Sequence, residues 1–398
     1  MKLKALLLAT AGAAVATSAS AADLPVVAEP VDYVQVCDAY GAGFFKIPGK
    51  DTCLKIGGRI RTQIVSDNLT DDRPRLKIVD SKTVFGEKVL AKRDMDYSAY
   101  ARGYLYLTSM TDTEIGLIKT YTEFYSEWDQ DGTGSSKVGS AYLQIGADFA
   151  DILIGRTTSQ FDAFTGAVDV GVITRNWSDQ STLQIAMMKS LGNGVSVALS
   201  AEDSSYRDGD VNSADIVGKI GIAQGWGSFE VAAAYHDTPD GAKEDSGYAV
   251  RGTATINLDM IAPGDKFIFQ AAYADSALSY LGTGTTELVD VSDGVGGEPD
   301  TLVTLSDSNG AEGYTLGAGF THFWTPEVAT SIDGSYLSLE QDNIDYDRWA
   351  IDGSIGWYPV SGLVIALDAG FANEDWSNGT DSADFDDAKV GARVQYTF

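Results

Sequence analysis

The chain has 398 residues, with 57 acidic and 28 basic side chains and a net charge of −29 with neutral histidines. This excess of negative charge excludes nucleic acid as a natural partner, because a phosphate backbone is bound by clustered lysine and arginine. A helical membrane span is also excluded beyond the amino terminus, since the mean hydropathy is −0.08 and no later run approaches the roughly 20 apolar residues that such a helix needs.

The amino terminus has the pattern of an export signal. Lys2 and Lys4 precede a mostly apolar stretch, and the sequence Ala19-Ser-Ala21 matches the small-residue site at which signal peptides are cleaved. We therefore predict that residues 1–22 are a signal peptide and that the mature chain leaves the cytosol.

The only two cysteines, Cys37 and Cys53, lie sixteen positions apart. In an exported chain this predicts a disulfide, because oxidising compartments favour the bond. Residues 23–52 are predicted to be an amino-terminal lead-in segment, and residues 53–398 to be a single domain.

From residue 54 onward, apolar and polar side chains alternate in segments of about ten residues, the length typical of barrel strands. The first segment alternates Ile60 and Ile64 with Arg59 and Arg61, which places the two kinds on opposite faces of a strand. In a membrane barrel the arginines must face the interior, since one on the lipid side near mid-bilayer would cost roughly 2–4 kcal/mol. Sixteen strands are predicted, near residues 54–65, 97–110, 113–127, 138–147, 150–157, 181–190, 194–202, 213–223, 227–236, 246–258, 265–275, 313–323, 327–338, 347–357, 362–371 and 386–398.

The connections between these strands alternate between short and long. The short ones include residues 111–113, 146–149, 191–194, 224–227, 324–326 and 358–362. The long ones cover residues 66–96, 128–137, 158–180, 203–212, 237–245, 276–312, 339–346 and 372–385. Short turns at one end and long loops at the other are typical of outer-membrane barrels. We predict an all-β fold, a transmembrane antiparallel up-and-down β-barrel of 16 strands in the outer membrane of a Gram-negative bacterium.

Four stretches resemble the general porins of the alphaproteobacteria: VCDAYGAGFFKIPGKDTCLKIGG at 36–58, TEIGLIKTYTE at 113–123, QFDAFTG at 160–166, and the terminal strand. The resemblance covers the whole mature chain. It implies a homotrimer with a water-filled pore in each subunit, surrounded by outer-membrane lipid and lipopolysaccharide. It also implies that Tyr396 and Phe398, on the apolar face of the last strand, form the signal that the barrel-assembly machinery reads.

The resemblance further implies that the third long loop, residues 158–180, folds inward and narrows the pore. The constriction residues expected there are Asp162, Asp169, Arg175 and Asp179. The bases expected on the facing wall are Lys55, Arg59, Arg61, Arg102 and Lys119. Acids opposite bases would create a transverse field across the pore, and we expect a slight preference for cations. Loop 66–96 could lie over a neighbouring subunit or enter the pore as well.

The predicted function is passive diffusion of small hydrophilic solutes and ions, which needs no cofactor or metal. The alternative is a channel specific for one solute, such as a sugar or an amino acid. An enzyme is disfavoured because the only histidines, His236 and His322, fall at opposite rims of the predicted barrel. A secreted adhesin would use the acidic loops, such as 276–312, as its binding surface.

Overall fold

The structure, a computed structural model, describes residues 35–66, 69, 97–130, 132–283, 286–289, 302–379 and 382–398. The predicted signal peptide, residues 23–34 of the lead-in segment, nearly all of loop 66–96 and the middle of loop 276–312 lie outside the described residues. Among the residues described, no helix combines the length and the apolar character that crossing a membrane requires.

Sixteen antiparallel strands pair in chain order and close into one barrel, because the last strand pairs with the first from Val390–Ser66 to Thr397–Arg59. The predicted fold is confirmed, and each predicted strand overlaps an observed one. The barrel strands are β1 (Thr52–Ser66), β2 (Tyr97–Thr113), β3 (Gly116–Asp129), β4 (Gly134–Gly146), β5 (Asp151–Thr158), β6 (Ser181–Gly192), β7 (Val195–Asp203), β8 (Ala214–Gln224), β9 (Gly227–Asp237), β10 (Ser246–Asn257), β11 (Lys266–Asp275), β12 (Glu312–Thr325), β13 (Val328–Gln341), β14 (Ile344–Val360), β15 (Leu363–Ser377) and β16 (Ser382–Thr397).

The outer face of the barrel is apolar. On β1, Ile56, Ile60 and Ile64 are each about half exposed on the outside. Arg59 and Arg61 alternate with them and point inward, since successive side chains of a strand take opposite faces. A continuous apolar belt of this kind is unfavourable in water and is satisfied by lipid.

Three connections that were predicted to be long loops are much shorter, because the strands continue into them. Strands extend into the predicted loops 128–137, 339–346 and 372–385, so that β3 ends at Asp129 and β4 begins at Gly134, β13 and β14 are separated by residues 342–343, and Ser377 of β15 pairs with Ser382 of β16. The extensions of β14–β16 are polar on their outer face, where Asp375 pairs with Asp384, while their inner face buries Tyr346 and Trp376. The apolar outer face that marks a strand in the sequence therefore stops before the strand does.

The predicted disulfide between Cys37 and Cys53 is present. It ties the segment before the barrel to the start of β1, where both sulfur-bearing residues pack with Phe44. A two-residue strand, Phe45–Lys46, also pairs with β1. The described part of the lead-in segment is therefore fixed to the end of the barrel at which β1 begins.

Candidate functional site

The loop between β5 and β6, residues 159–180 and here named L3, folds back onto the inner wall of the barrel. Its backbone amides donate to three carboxylates on consecutive strands: Asp333 of β13, Asp352 of β14 and Asp368 of β15. The contacts are Ala167 N and Val168 N to Asp333 at 2.7 and 3.2 Å, Ile173 N to Asp352 at 3.0 Å, and Gly171 N and Val172 N to Asp368 at 3.1 and 3.3 Å. Among the described residues, none of the hydrogen bonds of L3 goes to β1–β4.

Arg175 ties L3 to two of the same carboxylates. Its Nε lies 3.1 Å from Asp333 Oδ1, and its Nη1 lies 2.9 Å from Asp352 Oδ2. The Arg175 side chain is only 11% exposed and both carboxylates are fully buried. Arg175 was predicted in the constriction loop, and it occupies the loop as an anchor whose charge is neutralised.

Asp162 fixes the base of L3. Its carboxylate lies 3.2 Å from Arg207, with both side chains about 1% exposed, and it accepts the Gln180 N–H at 2.6 Å. Asp162 therefore lies in the predicted loop but does not face open lumen. Neutralising it would unseat the loop, so an Asp162→Asn variant does not test ion preference cleanly.

The other two predicted acids of L3 are more accessible. Asp169 is partly buried and accepts a hydrogen bond from the Tyr358 hydroxyl at 2.7 Å. Burial raises the pKa of Asp169 above its ordinary value, although the Tyr358 hydrogen bond and Arg393 oppose the rise. Asp179, near the end of the loop, is exposed.

The five predicted wall bases all lie on β1–β3, on the part of the wall that L3 leaves uncovered. Arg102 forms an ion pair with Glu127. The other four have no carboxylate within 4 Å among the described residues; Arg61 donates to Gln395 at 2.7 Å. We call Lys55, Arg59, Arg61 and Lys119 the basic wall.

Contacts with two other loops also hold L3 in place. Arg207, in the loop after β7, also donates to Ser178 of L3 and to the Ser279 carbonyl, and its guanidinium lies 4.0 Å from the ring centroid of Tyr280. Ser279 and Tyr280 belong to L6, residues 276–311. L3 and L6 are therefore connected through one buried arginine.

L6 is anchored by a buried acid that sequence reasoning did not single out. Asp307 accepts the Leu278 N–H at 2.7 Å, and its other oxygen lies 3.8 Å from His236 Nε2. The opposite His236 nitrogen lies 2.9 Å from Asp215, which also accepts the Tyr280 hydroxyl at 2.6 Å. Burial raises the pKa of Asp307 to about 6, while the Leu278 N–H and His236 oppose the rise.

The anchoring of L6 should weaken as pH rises. The pKa of Asp307 in the seated loop is about 6, against an ordinary value of 3.8, so the seated loop holds the proton more tightly than a released loop. Its contribution to stability is full below pH 3.8 and is lost as pH rises through 6. From pH 7 to pH 5 we expect the hydrogen-exchange protection factor of the Leu278 amide, corrected for intrinsic rates, to increase about tenfold. In Asp307→Asn that pH dependence should vanish, and an unchanged dependence would contradict the assignment.

The L3 anchors on the wall, Asp333, Asp352 and Asp368, were also missed from the sequence. The signal that could have found them is an inward-facing acid on each of three consecutive predicted strands. The two histidines lie at opposite ends of the barrel, His236 at the end of β9 nearest the long loops and His322 near the short turns with Asp265 at 2.6 Å. In the described part of the chain, no group of three or more His, Cys, Asp or Glu side chains could hold a metal ion.

Comparison with known proteins identifies the family. A family model described as the porin subfamily matches residues 23–398. The chain belongs to the porin subfamily. Porin Omp2b of Brucella suis biovar 1 is 32% identical over 308 residues, which cover 70% of this porin and 75% of that protein.

Two solved structures share the fold of this porin at low identity. The outer-membrane channel DcaP of Acinetobacter baumannii is 16% identical, with a TM-score of 0.63 over 87% of this chain and 97% of its own. OmpT of Vibrio cholerae in its trimer form is 11% identical, with a TM-score of 0.53 over 88% and 100%.

The predicted resemblance, location and function are thus confirmed. This porin lies in the outer membrane of a Gram-negative bacterium and forms a water-filled channel. Small hydrophilic solutes and ions pass through it by passive diffusion down their own gradients, and it is not an enzyme.

Proposed function

We propose that solutes cross this porin between L3 on one side and the basic wall on the other. The observation that carries the proposal is the difference in charge pairing between the two sides. Arg175 and Arg207 on the L3 side are paired with buried carboxylates, whereas Lys55, Arg59 and Lys119 on the facing wall have no carboxylate partner among the described residues.

The unpaired charges on the two sides set the electric field across the gap between L3 and the basic wall. Asp179 is exposed on L3 and Asp169 is partly buried there, while the basic wall presents positive charge from β1 and β3. Opposed charges of this kind favour hydrated, dipolar solutes and set ion preference by direct electrostatics. The slight cation preference expected from the sequence came from weighing the bases against the acids of the external loops. Inside the gap Asp162 is buried and paired with Arg207, which leaves the basic wall more weight there.

Arg59→Gln is expected to lower the permeability of anions relative to cations. A unit charge about 5 Å from a passing ion contributes on the order of 1 kcal/mol in water, a factor of about five for one ion, so the permeability ratio should change at least about fivefold. The measurement is the reversal potential of single channels in a KCl gradient at low ionic strength, where screening is weakest.

Lys189→Gln is the matched control, because it removes the same charge from an exposed position outside the lumen, beside Phe149. Reversal potentials that are equal in Arg59→Gln and in the unsubstituted porin would contradict the placement of the pathway along the basic wall.

The homotrimer is part of the same proposal. A concavity of about 410 Å³ lies on the outer face where β16, β1, β2 and β3 meet, and Trp128 stands beside it. Small side chains such as Ala99, Ala101 and Ala392 line it, and small residues let neighbouring segments approach closely in lipid. The trimer form of OmpT supports association of such barrels.

Ala101→Trp should disrupt the trimer, since the added ring fills the concavity and overpacking costs about 1–3 kcal/mol in each contact. Light scattering of the purified porin in detergent would report the mass of the assembly. Leu199→Trp, at an exposed outer position on β7, is the control. A trimer that persists in Ala101→Trp would show that the interface between subunits does not include this concavity.

Two further partners are proposed on the resemblance alone. The barrel-assembly machinery would read the last strand at Tyr396 and Phe398. Lipopolysaccharide would surround the rim, where the acidic extensions of β14–β16 rise past the apolar belt.

A further inference from the structure

The uncovered wall carries an aromatic surface that diffusion of small ions does not require. Tyr106 of β2 and Tyr121 of β3 are stacked at 6.4 Å between ring centroids, with planes 16° apart. The contacts continue from Tyr121 to Tyr142 of β4 at 5.5 Å, and from Tyr106 through Tyr104 at 6.0 Å to Tyr125 at 5.5 Å. We call Tyr104, Tyr106, Tyr121, Tyr125 and Tyr142 the tyrosine track.

The track lies on the same inner face as the basic wall. The guanidinium of Arg59 lies 3.9 Å from the ring centroid of Tyr104, and the Lys119 ammonium lies 5.6 Å from that of Tyr142. Arg59 has no carboxylate partner among the described residues, so its charge beside Tyr104 is available to an anionic ligand.

The balance of charge on this wall is positive. Glu127 is paired with Arg102, and Glu123 keeps its negative charge although it accepts the hydroxyl of Tyr121 at 3.3 Å. The four cations of the basic wall outnumber this single unpaired carboxylate, and this favours an anion over a cation on the track.

Ring faces and unpaired guanidinium groups recognise two different parts of one ligand. Flat rings stack on tyrosine with about 0.5–1.5 kcal/mol beyond the area they bury. A carboxylate binds guanidinium through strong, charge-assisted hydrogen bonds. We propose that the tyrosine track and the basic wall form a weak binding site for aromatic carboxylates and favour their passage over that of anions without a flat face. This inference rests on the proposed function, because it requires solutes to pass along this wall.

Benzoate is the probe, and two matched compounds separate its two features. Cyclohexanecarboxylate keeps the charge and the ring size without a flat face, and benzylamine keeps the flat face with the opposite charge. We expect benzoate to interrupt the current of single channels in KCl at a concentration about fivefold below that of cyclohexanecarboxylate, with benzylamine the weakest.

The double variant Tyr106→Leu with Tyr121→Leu should bring benzoate and cyclohexanecarboxylate to equal potency. Tyr235→Leu, on the lipid-facing side of β9, is the control and should keep the fivefold difference. Equal potency of the two acids in the unsubstituted porin, or a difference that survives in the double variant, would overturn the inference.

The same recordings separate this inference from the proposed pathway. Failure of the pathway would appear as a KCl reversal potential that Arg59→Gln leaves unchanged. Failure of the aromatic site alone would appear as a shifted reversal potential with no difference between benzoate and cyclohexanecarboxylate.

Discussion

Replacing both Asp333 and Asp352 with asparagine is expected to raise the single-channel conductance of this porin and to make its open current noisier. The two carboxylates hold the Arg175 guanidinium and accept three backbone amides of L3. Breaking a buried ion pair by removing one partner typically costs about 3–5 kcal/mol, because the remaining charge is left uncompensated. L3 should then leave the wall for part of the time and widen the gap it bounds.

Two controls make this result interpretable. Asp375→Asn with Asp384→Asn removes the same charge from two paired rim positions that make no contact with L3, and its conductance should change little. Adding Arg175→Met to the first pair removes the stranded cation as well, so the triple variant should fold more stably than the double variant. A conductance and noise level that are unchanged in the double variant would show that the three-carboxylate anchor does not hold L3.

Replacing Phe398 with alanine should lower the amount of this porin in the outer membrane several-fold, while leaving the stability of the refolded barrel nearly unchanged. The backbone of Phe398 exchanges two hydrogen bonds with Gly58 at 3.0 and 3.1 Å, and alanine retains both. Phe398 as a whole residue is 67% exposed, so the loss of its ring should cost at most about 1 kcal/mol in the folded state. The expected defect is therefore in assembly.

Immunoblots of the outer-membrane fraction would be compared with heat-dependent gel mobility of protein refolded in detergent. Phe398→Tyr keeps an aromatic terminus and should restore the level in the membrane. A loss of refolded stability as large as the loss in the membrane would assign Phe398 to closing the barrel at Gly58, against the proposed signal.

The barrel was predictable because its physics is local and repeats. Each strand needs one apolar face for lipid, so alternation such as that of Ile56, Ile60 and Ile64 appears in the sequence wherever a strand crosses the membrane. The strand ends were not predictable to the same degree. Extensions such as the one carrying Asp375 no longer face lipid, so their outer face is polar, while their inner face packs Trp376 against residues of L6 such as Leu305.

The seat of L3 depends on closure of the barrel, which brings β12–β16 beside a loop more than 130 residues earlier in the chain. In the sequence, Asp333, Asp352 and Asp368 are single acids on separate strands, and no local pattern connects them to residues 159–180. The same limit explains why Asp162 was predicted to be an acid of the pore. In the folded protein it is paired with Arg207, and no pattern in the sequence indicates that pair.

The seating of L3 over β12–β16 divides the cylinder into a half with two layers of protein and a half with one. A side chain on the doubled half must fit both the strand and the loop, so most replacements there disturb the shape of the passage. Side chains such as Lys55, Tyr106 and Lys119 on β1–β3 are not covered by L3, so that part of the wall can exchange its chemistry without rebuilding the aperture. Single substitutions on the part of the wall that L3 does not cover can therefore change which solutes the porin prefers, while the size limit of the pore is kept.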